Sequence, residues 1–172
     1  MSRLLILAAA LAMSATTAFA HDAKLGDPQI AHVAYTAGQI DVDAAKLALA
    51  KTRNAEVRAF AELMARDHAA VNDKALALVK RLNVKPEANG TSASLTKQAK
   101  QTEKRLKKLS GAAFDRAYVA NEIAYHRTVN QALSGALIPS ARNSELKALL
   151  ETGLALFTAH QTHAEHLAQT VK

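Results

Sequence analysis

Three histidines, His68, His126 and His160, each fall in the apolar stripe of a different predicted amphipathic helix, where Leu, Val or Met would be expected. A neutral imidazole offers a nitrogen lone pair, so three of them converging in a helical core could hold one transition metal ion. The competing chemistry is structural. Each ring would then be a buried neutral group satisfied by Glu122, Asp115, Asp67 or a tyrosine hydroxyl, because a buried polar group must find a partner.

The stripes follow from counting about 100° per residue. In the second helix Val57, Phe60, Ala61, Met64, Val71, Ala75, Leu78 and Leu82 share a face, with His68 near its middle. A later helix has Val119, Val129, Leu133 and Leu137 on one face, which also takes in Asp115, Glu122 and His126. That row is unusually polar for a core. In the last helix Leu146, Leu149, Gly153, Leu156, Phe157, Ala164, Leu167 and Val171 share a face with His160. Counted from hairpin turns near Arg53 and Ala141, His160 lies about four residues further along than His68 and His126, or ~6 Å of helix. A common layer is compatible with that count without being required by it.

The remaining histidines carry less. His160, His163 and His166 resemble a metal run, yet His166 is rotated about 120° from His160 and cannot face the same ion from a straight helix. His32 lies beside the stripe of helix one. His21 gains weight only if it becomes the N-terminal residue, pairing an amine with an imidazole.

That would follow from export. Arg3 is a short basic start, Leu4 to Met13 an apolar run, and Ala18-Phe19-Ala20 a small-x-small cleavage site, so residues 1–20 read as a signal peptide. The apolar run is shorter than the ~20 residues that span a bilayer, and no later segment approaches that length. The expected product is a periplasmic or secreted protein without a transmembrane segment, a single domain over residues 21–172. With no cysteine, it must be held by its core alone. Aromatics make up only 4% of the chain and Trp is absent, while Ala and Leu abound, which predicts an all-α fold packed through small side chains. The whole chain carries +7, and loss of Arg3 with the leader leaves +6.

Punctuation divides the rest into four long helices and a shorter one. Asp27-Pro28 starts the first as cap and first-turn proline, and Ile30, Val33, Ala37, Ile40, Ala44 and Leu47 carry it to about Lys51. Asn54 caps the second, which the Asn83–Gly90 stretch around Pro86 stops. A basic helix follows Thr91 and runs to about Leu109. Ser110-Gly111 breaks the chain, the next helix runs to Ile138 before Pro139, and Asn143 or Ser144 caps the last. Two helical hairpins joined by a connection of about 26 residues match a ferritin-like four-helix bundle with an extra short helix in the crossover between helices two and three.

Asn54-Ala55-Glu56-Val57-Arg58-Ala59-Phe60-Ala61, Met64, Asp67-His68, Phe114-Asp115-x-x-Tyr118-Val119 with His126, and His160-x-x-x-Ala164-x-x-Leu167 together resemble the exported bacterial domain-of-unknown-function family numbered four-one-four-two. The resemblance covers nearly the whole mature chain. It implies a ferritin-like fold and an outer-membrane or periplasmic address, without an agreed activity. It also implies that the recurrent polar positions are His68, His126 and His160, with Asp41 or Asp43 standing where a Glu is usual on the first helix.

Carboxylate-bridged di-iron chemistry does not fit. Such bundles use two Glu and two Glu-x-x-His motifs, whereas Ala65 and Phe157 precede His68 and His160 by three, and Glu122 precedes His126 by four. Three imidazoles and a carboxylate suit one Zn, Cu, Ni or Fe ion better. Separately, Lys97, Lys100, Lys104, Arg105, Lys107 and Lys108 against Glu103 alone could dock the protein on an anionic envelope surface. The competing reading is a solvated outer helix face, and nucleic acid would sit in the wrong compartment.

No nucleophile elbow, Gly-rich phosphate loop or cysteine nucleophile is present, so no catalytic residue is assigned. Three readings follow: an exported binding or envelope-stress protein holding one metal ion, a metal-dependent oxidase or peroxide-consuming enzyme, and a non-catalytic interaction protein.

Overall fold

A computed structural model describes residues 25–171, so the expected signal segment, its cleavage site and His21 lie outside the described residues. The described chain is all helical. α1 spans Asp27–Lys51, α2 Ala55–Arg81, α3 Gly90–Lys107, α4 Gly111–Ala132, α5 Ile138–Ser140 and α6 Ser144–Thr170, with a π-helical turn at Leu133–Leu137. No helix among the described residues is long and apolar enough to cross a membrane.

Side-chain caps set most of the starts. The Asn54 carboxamide oxygen accepts from the backbone N–H groups of Glu56 and Val57 at 2.9 and 3.1 Å. Asn143 does the same for Glu145 and Leu146, both at 3.0 Å, satisfying donors that a helix start otherwise leaves open. At α1 the cap is Gly26 rather than Asp27, and the Gln29 side chain accepts from the Gly26 N–H at 3.1 Å. Asp27 is used elsewhere. Its two carboxylate oxygens accept from the N–H groups of Arg142 and Asn143 at 2.8 Å each, tying the turn before α6 to the start of α1.

The expected stop at Ile138 is displaced to Ser140. Pro139 cannot donate to the carbonyl four residues back and its ring crowds that carbonyl. The chain answers by widening a turn: the Ile138 N–H reaches back to the Leu133 carbonyl, five residues away.

Contacts at the helix ends fix the directions. The Thr170 hydroxyl donates to Glu56 at 2.7 Å at one end of the bundle, and Arg81 pairs with Glu145 at 2.9 Å at the other, so α2 and α6 are antiparallel. Arg127–Glu165 at 3.3 Å and Asn130–Gln161 at 3.1 Å make α4 and α6 antiparallel as well. α3, about 27 Å long at 1.5 Å per residue, returns the chain along α1 before α4 begins. In consequence α4 runs parallel to α2, and the two hairpin turns lie at opposite ends of the bundle.

The core has two apolar halves. One gathers Val57, Phe60, Met64, Leu106, Phe114, Tyr118 and Leu167, and the other Ile30, Val33, Leu78, Leu133, Leu146 and Phe157. Between them each of α1, α2, α4 and α6 contributes buried polar residues: Asp41, His68, Glu122 with His126, and His160.

Candidate metal centre

These residues meet in one layer. The ring centroids are 5.4 Å apart for His68 and His126, 5.3 Å for His68 and His160, and 5.7 Å for His126 and His160. Rings bound to a single ion through nitrogens at ~2.1 Å and tetrahedral angles would stand about 5 Å apart, so the spacing already approximates a ligand set. Donor atoms of the three histidines lie within 4.8 Å of one another, and so do those of Asp41, Glu122 and His126.

The second nitrogen of two rings is anchored. His126 Nδ1 lies 3.0 Å from the Glu122 backbone carbonyl, an acceptor, so it carries the proton and Nε2 carries the lone pair. His160 Nε2 lies 3.1 Å from an Asp67 carboxylate oxygen, which leaves Nδ1 as its inward atom. Burial alone would raise the Asp67 pKa, but hydrogen bonds from Arg66 and then His160 outweigh it and hold it below the ordinary value. His68 is oriented by packing instead: its ring stacks on Phe157 at 4.4 Å and an interplanar angle of 6°.

Asp41 joins the histidines. One of its oxygens is 2.9 Å from His68 Nε2 and 3.3 Å from His126 Nε2. Neither contact is aligned as a hydrogen bond, although each is short enough. Both Asp41 oxygens, both His68 ring nitrogens, His126 Nε2, His160 Nδ1 and Glu122 Oε2 are buried without a hydrogen-bond partner among the described residues.

Asp41 is the anion of the cluster. Burial would raise the Asp41 pKa, but the attraction of His68 and then His126 prevails and holds it well below the carboxylate range. Burial first, and then the Asp41 charge, pushes Glu122 well above its ordinary value, so it is the protonated partner of the pair. Burial also lowers His126, against the pull of Asp41. His160 is pushed down to about 4, mainly by burial.

Of the two aspartates considered for the first helix, Asp41 reaches the cluster and Asp43 does not. Asp43 is exposed and accepts from the Gln39 side chain at 3.0 Å. His163 and His166 are exposed, His163 edge-on to Phe60, and His32 is half-buried beside α3. Asn72, one turn beyond His68 in the same stripe, was not singled out by sequence, although an amide in an apolar row was the available signal. It is buried, and its Oδ1 occupies the space a Gly38 side chain would fill.

The basic segment lies on α3 and its C-cap Lys108, with all six cations exposed. Lys97, Lys100 and Lys104 line an open groove with His32, between α1 and α3. Lys107 pairs with Glu103 at 2.5 Å, and Arg105 and Lys108 do not line that groove.

A family model described as domain of unknown function (DUF4142) matches residues 12–167, the family that the sequence motifs resemble. No curated protein and no solved structure matches the chain.

Proposed function

Because the chain belongs to the family described as a domain of unknown function (DUF4142), we propose a function from its buried site: it binds one transition metal ion in the core of the helical bundle. His68, His126, His160 and Asp41 are the ligands, with Glu122 beside them as a protonated neighbour or fifth ligand. The observation that carries this reading is the set of inward-facing buried donor atoms with no hydrogen-bond partner among the described residues, two of them in rings, His126 and His160, whose other nitrogens are held by Glu122 and Asp67. Three nitrogens and one carboxylate oxygen suit Zn, Cu, Ni or Fe.

The fold reading that accompanies it is ferritin-like. Its support is the parallel course of α2 and α4 across a long connection carrying α3, with side chains from four helices pointing into the middle layer. The address is the periplasm or the exterior, reached as a single domain after removal of residues 1–20, and the intact mass of the exported protein should correspond to a chain beginning at His21.

Elemental analysis of protein purified without a polyhistidine tag tests the function. One equivalent of metal is expected, retained on gel filtration and lost together with Asp41→Asn. Metal-free protein that gains no thermal stability from added Zn, Cu, Ni or Fe would overturn the reading.

A second reading rests on a separate observation, the groove of Lys97, Lys100 and Lys104. It makes this face the docking surface for an anionic envelope lipid, with the metal in a structural role.

A further inference from the structure

A cavity of about 40 Å³ opens in the apolar half of the bundle beside the histidine layer, between Val71, Ala132, Leu133, Leu150 and Phe157. Its size selects among occupants. It exceeds the ~10–15 Å³ that one water needs, and falls far short of the ~150 Å³ of a cavity that takes benzene. Lipids, aromatics and sugars do not fit without movement of the helices. Apart from Asn72 the lining side chains are apolar, so an ion or a molecule with several hydrogen-bonding groups would enter at the full cost of its lost hydration.

Two residues tie the cavity to the candidate metal centre. Phe157 forms its floor and at the same time covers the histidines, stacked on His68 at 4.4 Å and with its centroid 6.3 Å from His126 and 6.2 Å from His160. Asn72 follows His68 by one turn and is the polar side chain of the lining. Its Nδ2 is buried and has no partner among the described residues. The position of that amide is set from behind. A Cβ on Gly38 would lie 2.3 Å from Asn72 Oδ1, so the glycine is what admits the side chain. The far wall includes Leu133 and Leu137 of the π turn, where α4 is widened.

We propose that this cavity is a docking pocket for a small uncharged diatomic molecule of the dioxygen class, held over Phe157 beside the metal centre with the Asn72 amide as its one hydrogen-bond donor. The inference rests on the metal reading above and deepens it by naming what approaches the ion. It also separates two substrate classes. Hydrogen peroxide must place two O–H donors, and the walls offer them almost no acceptor, whereas dioxygen needs none. Phe157 is the gate, because it lines the apolar cavity and its ring also stacks on His68 of the histidine layer.

The test uses two probes. Crystals of the metal-free protein under xenon pressure should show xenon between Phe157 and Leu133, and Ala132→Leu should lose it. Ala75→Leu, at the cavity's outer wall, serves as a second filling variant should Ala132→Leu fold poorly, and a retained Zn-induced rise in melting temperature certifies an intact centre in either. Protein loaded with Co(II) should then change its ligand-field spectrum on exposure to nitric oxide, and the filled variants should lose that change while still binding cobalt. Protein that takes cobalt but no xenon, or filled variants that respond to nitric oxide like the parent, would overturn this inference alone. Protein that takes xenon but no metal would overturn the metal reading and, with it, this use of the cavity.

Discussion

Asp41→Asn is the most discriminating single change, because it alters charge and donor capacity while keeping shape. Asp41 is 1% exposed and sits 2.9 Å from His68 and 3.3 Å from His126, so alanine at any of the three would add a cavity cost that obscures the comparison. If these residues bind metal, an ion at a hundredfold excess over its Kd stabilises the fold by about 2.7 kcal/mol. For a domain of this size each kcal/mol moves Tm by about 2–4 °C, which gives a rise of about 5–11 °C in the parent. Asp41→Asn should lose that rise, since a neutral amide replaces the one anionic ligand.

If the cluster were only a structural ion pair, removing one partner should cost about 3–5 kcal/mol in the metal-free protein. Neither parent nor variant would then respond to metal. Differential scanning calorimetry of both proteins, stripped by chelator and titrated with Zn or Cu, separates the two outcomes. A parent Tm unchanged at saturating metal, or a variant that keeps the full rise, refutes the ligand assignment. His166→Ala, on an exposed position, should behave as the parent does.

The metal-free protein should lose stability as the pH falls from 6.5 through about 4, because burial holds His160 at about 4 in the fold against 6.5 unfolded, so the unfolded chain binds the extra proton in that window. Urea midpoints at pH 7 and 4.5 check this, and His160→Gln should flatten the difference. Gly38→Ala should destabilise by about 1–3 kcal/mol, since its methyl would meet the Asn72 amide and α2 must shift to admit it; an unchanged Tm would contradict the packing described. Neutralising Lys97, Lys100 and Lys104 together should reduce retention on anionic vesicles at low salt and leave Tm nearly unchanged, because exposed charges contribute little to folding. Equal retention of the triple variant would end the docking reading.

The inward turn of all three histidines was legible because each interrupts a strong apolar period, and a 3.6-residue repeat reports the buried face directly. Their common level was not. The count from the hairpin turns compared distances measured from opposite ends of the bundle, and helix order alone does not say where a crossover returns. His68 lies thirteen residues from the start of α2, and His160 ten from the end of α6 at that same end. The sequence left Asp41 and Asp43 as alternatives for a related reason. The expected stripe ran from Ala37 on to Ile40, Ala44 and Leu47, whereas the buried face of α1 continues from Ala37 through Gly38, Asp41, Ala45 and Ala48. Small residues carry little hydrophobic signal, yet they are what let α2 approach closely enough for Asn72 to pack on Gly38. The π turn was hidden as well, since Pro139 signals a helix stop and the turn appears only when the preceding residues have core contacts to keep.

What distinguishes a ligand set from a satisfied polar core is the sign of its hydrogen-bonding capacity. A structural cluster alternates donors with acceptors, so that each buried group closes another. Here the His126 N–H donates to the Glu122 carbonyl and the His160 N–H to Asp67, while Asp41 is ionised. Of the atoms left facing the middle, His126 Nε2, His160 Nδ1 and the Asp41 oxygens are acceptors, and the donors beside them are an N–H of the His68 ring and the protonated Glu122 carboxyl. Left unmet at about 1–3 kcal/mol each, four such groups would cost about 4–12 kcal/mol, comparable with the whole ~5–15 kcal/mol by which a domain is stable. A protonated Glu122 can close one of them. One divalent cation can accept all of those lone pairs at once.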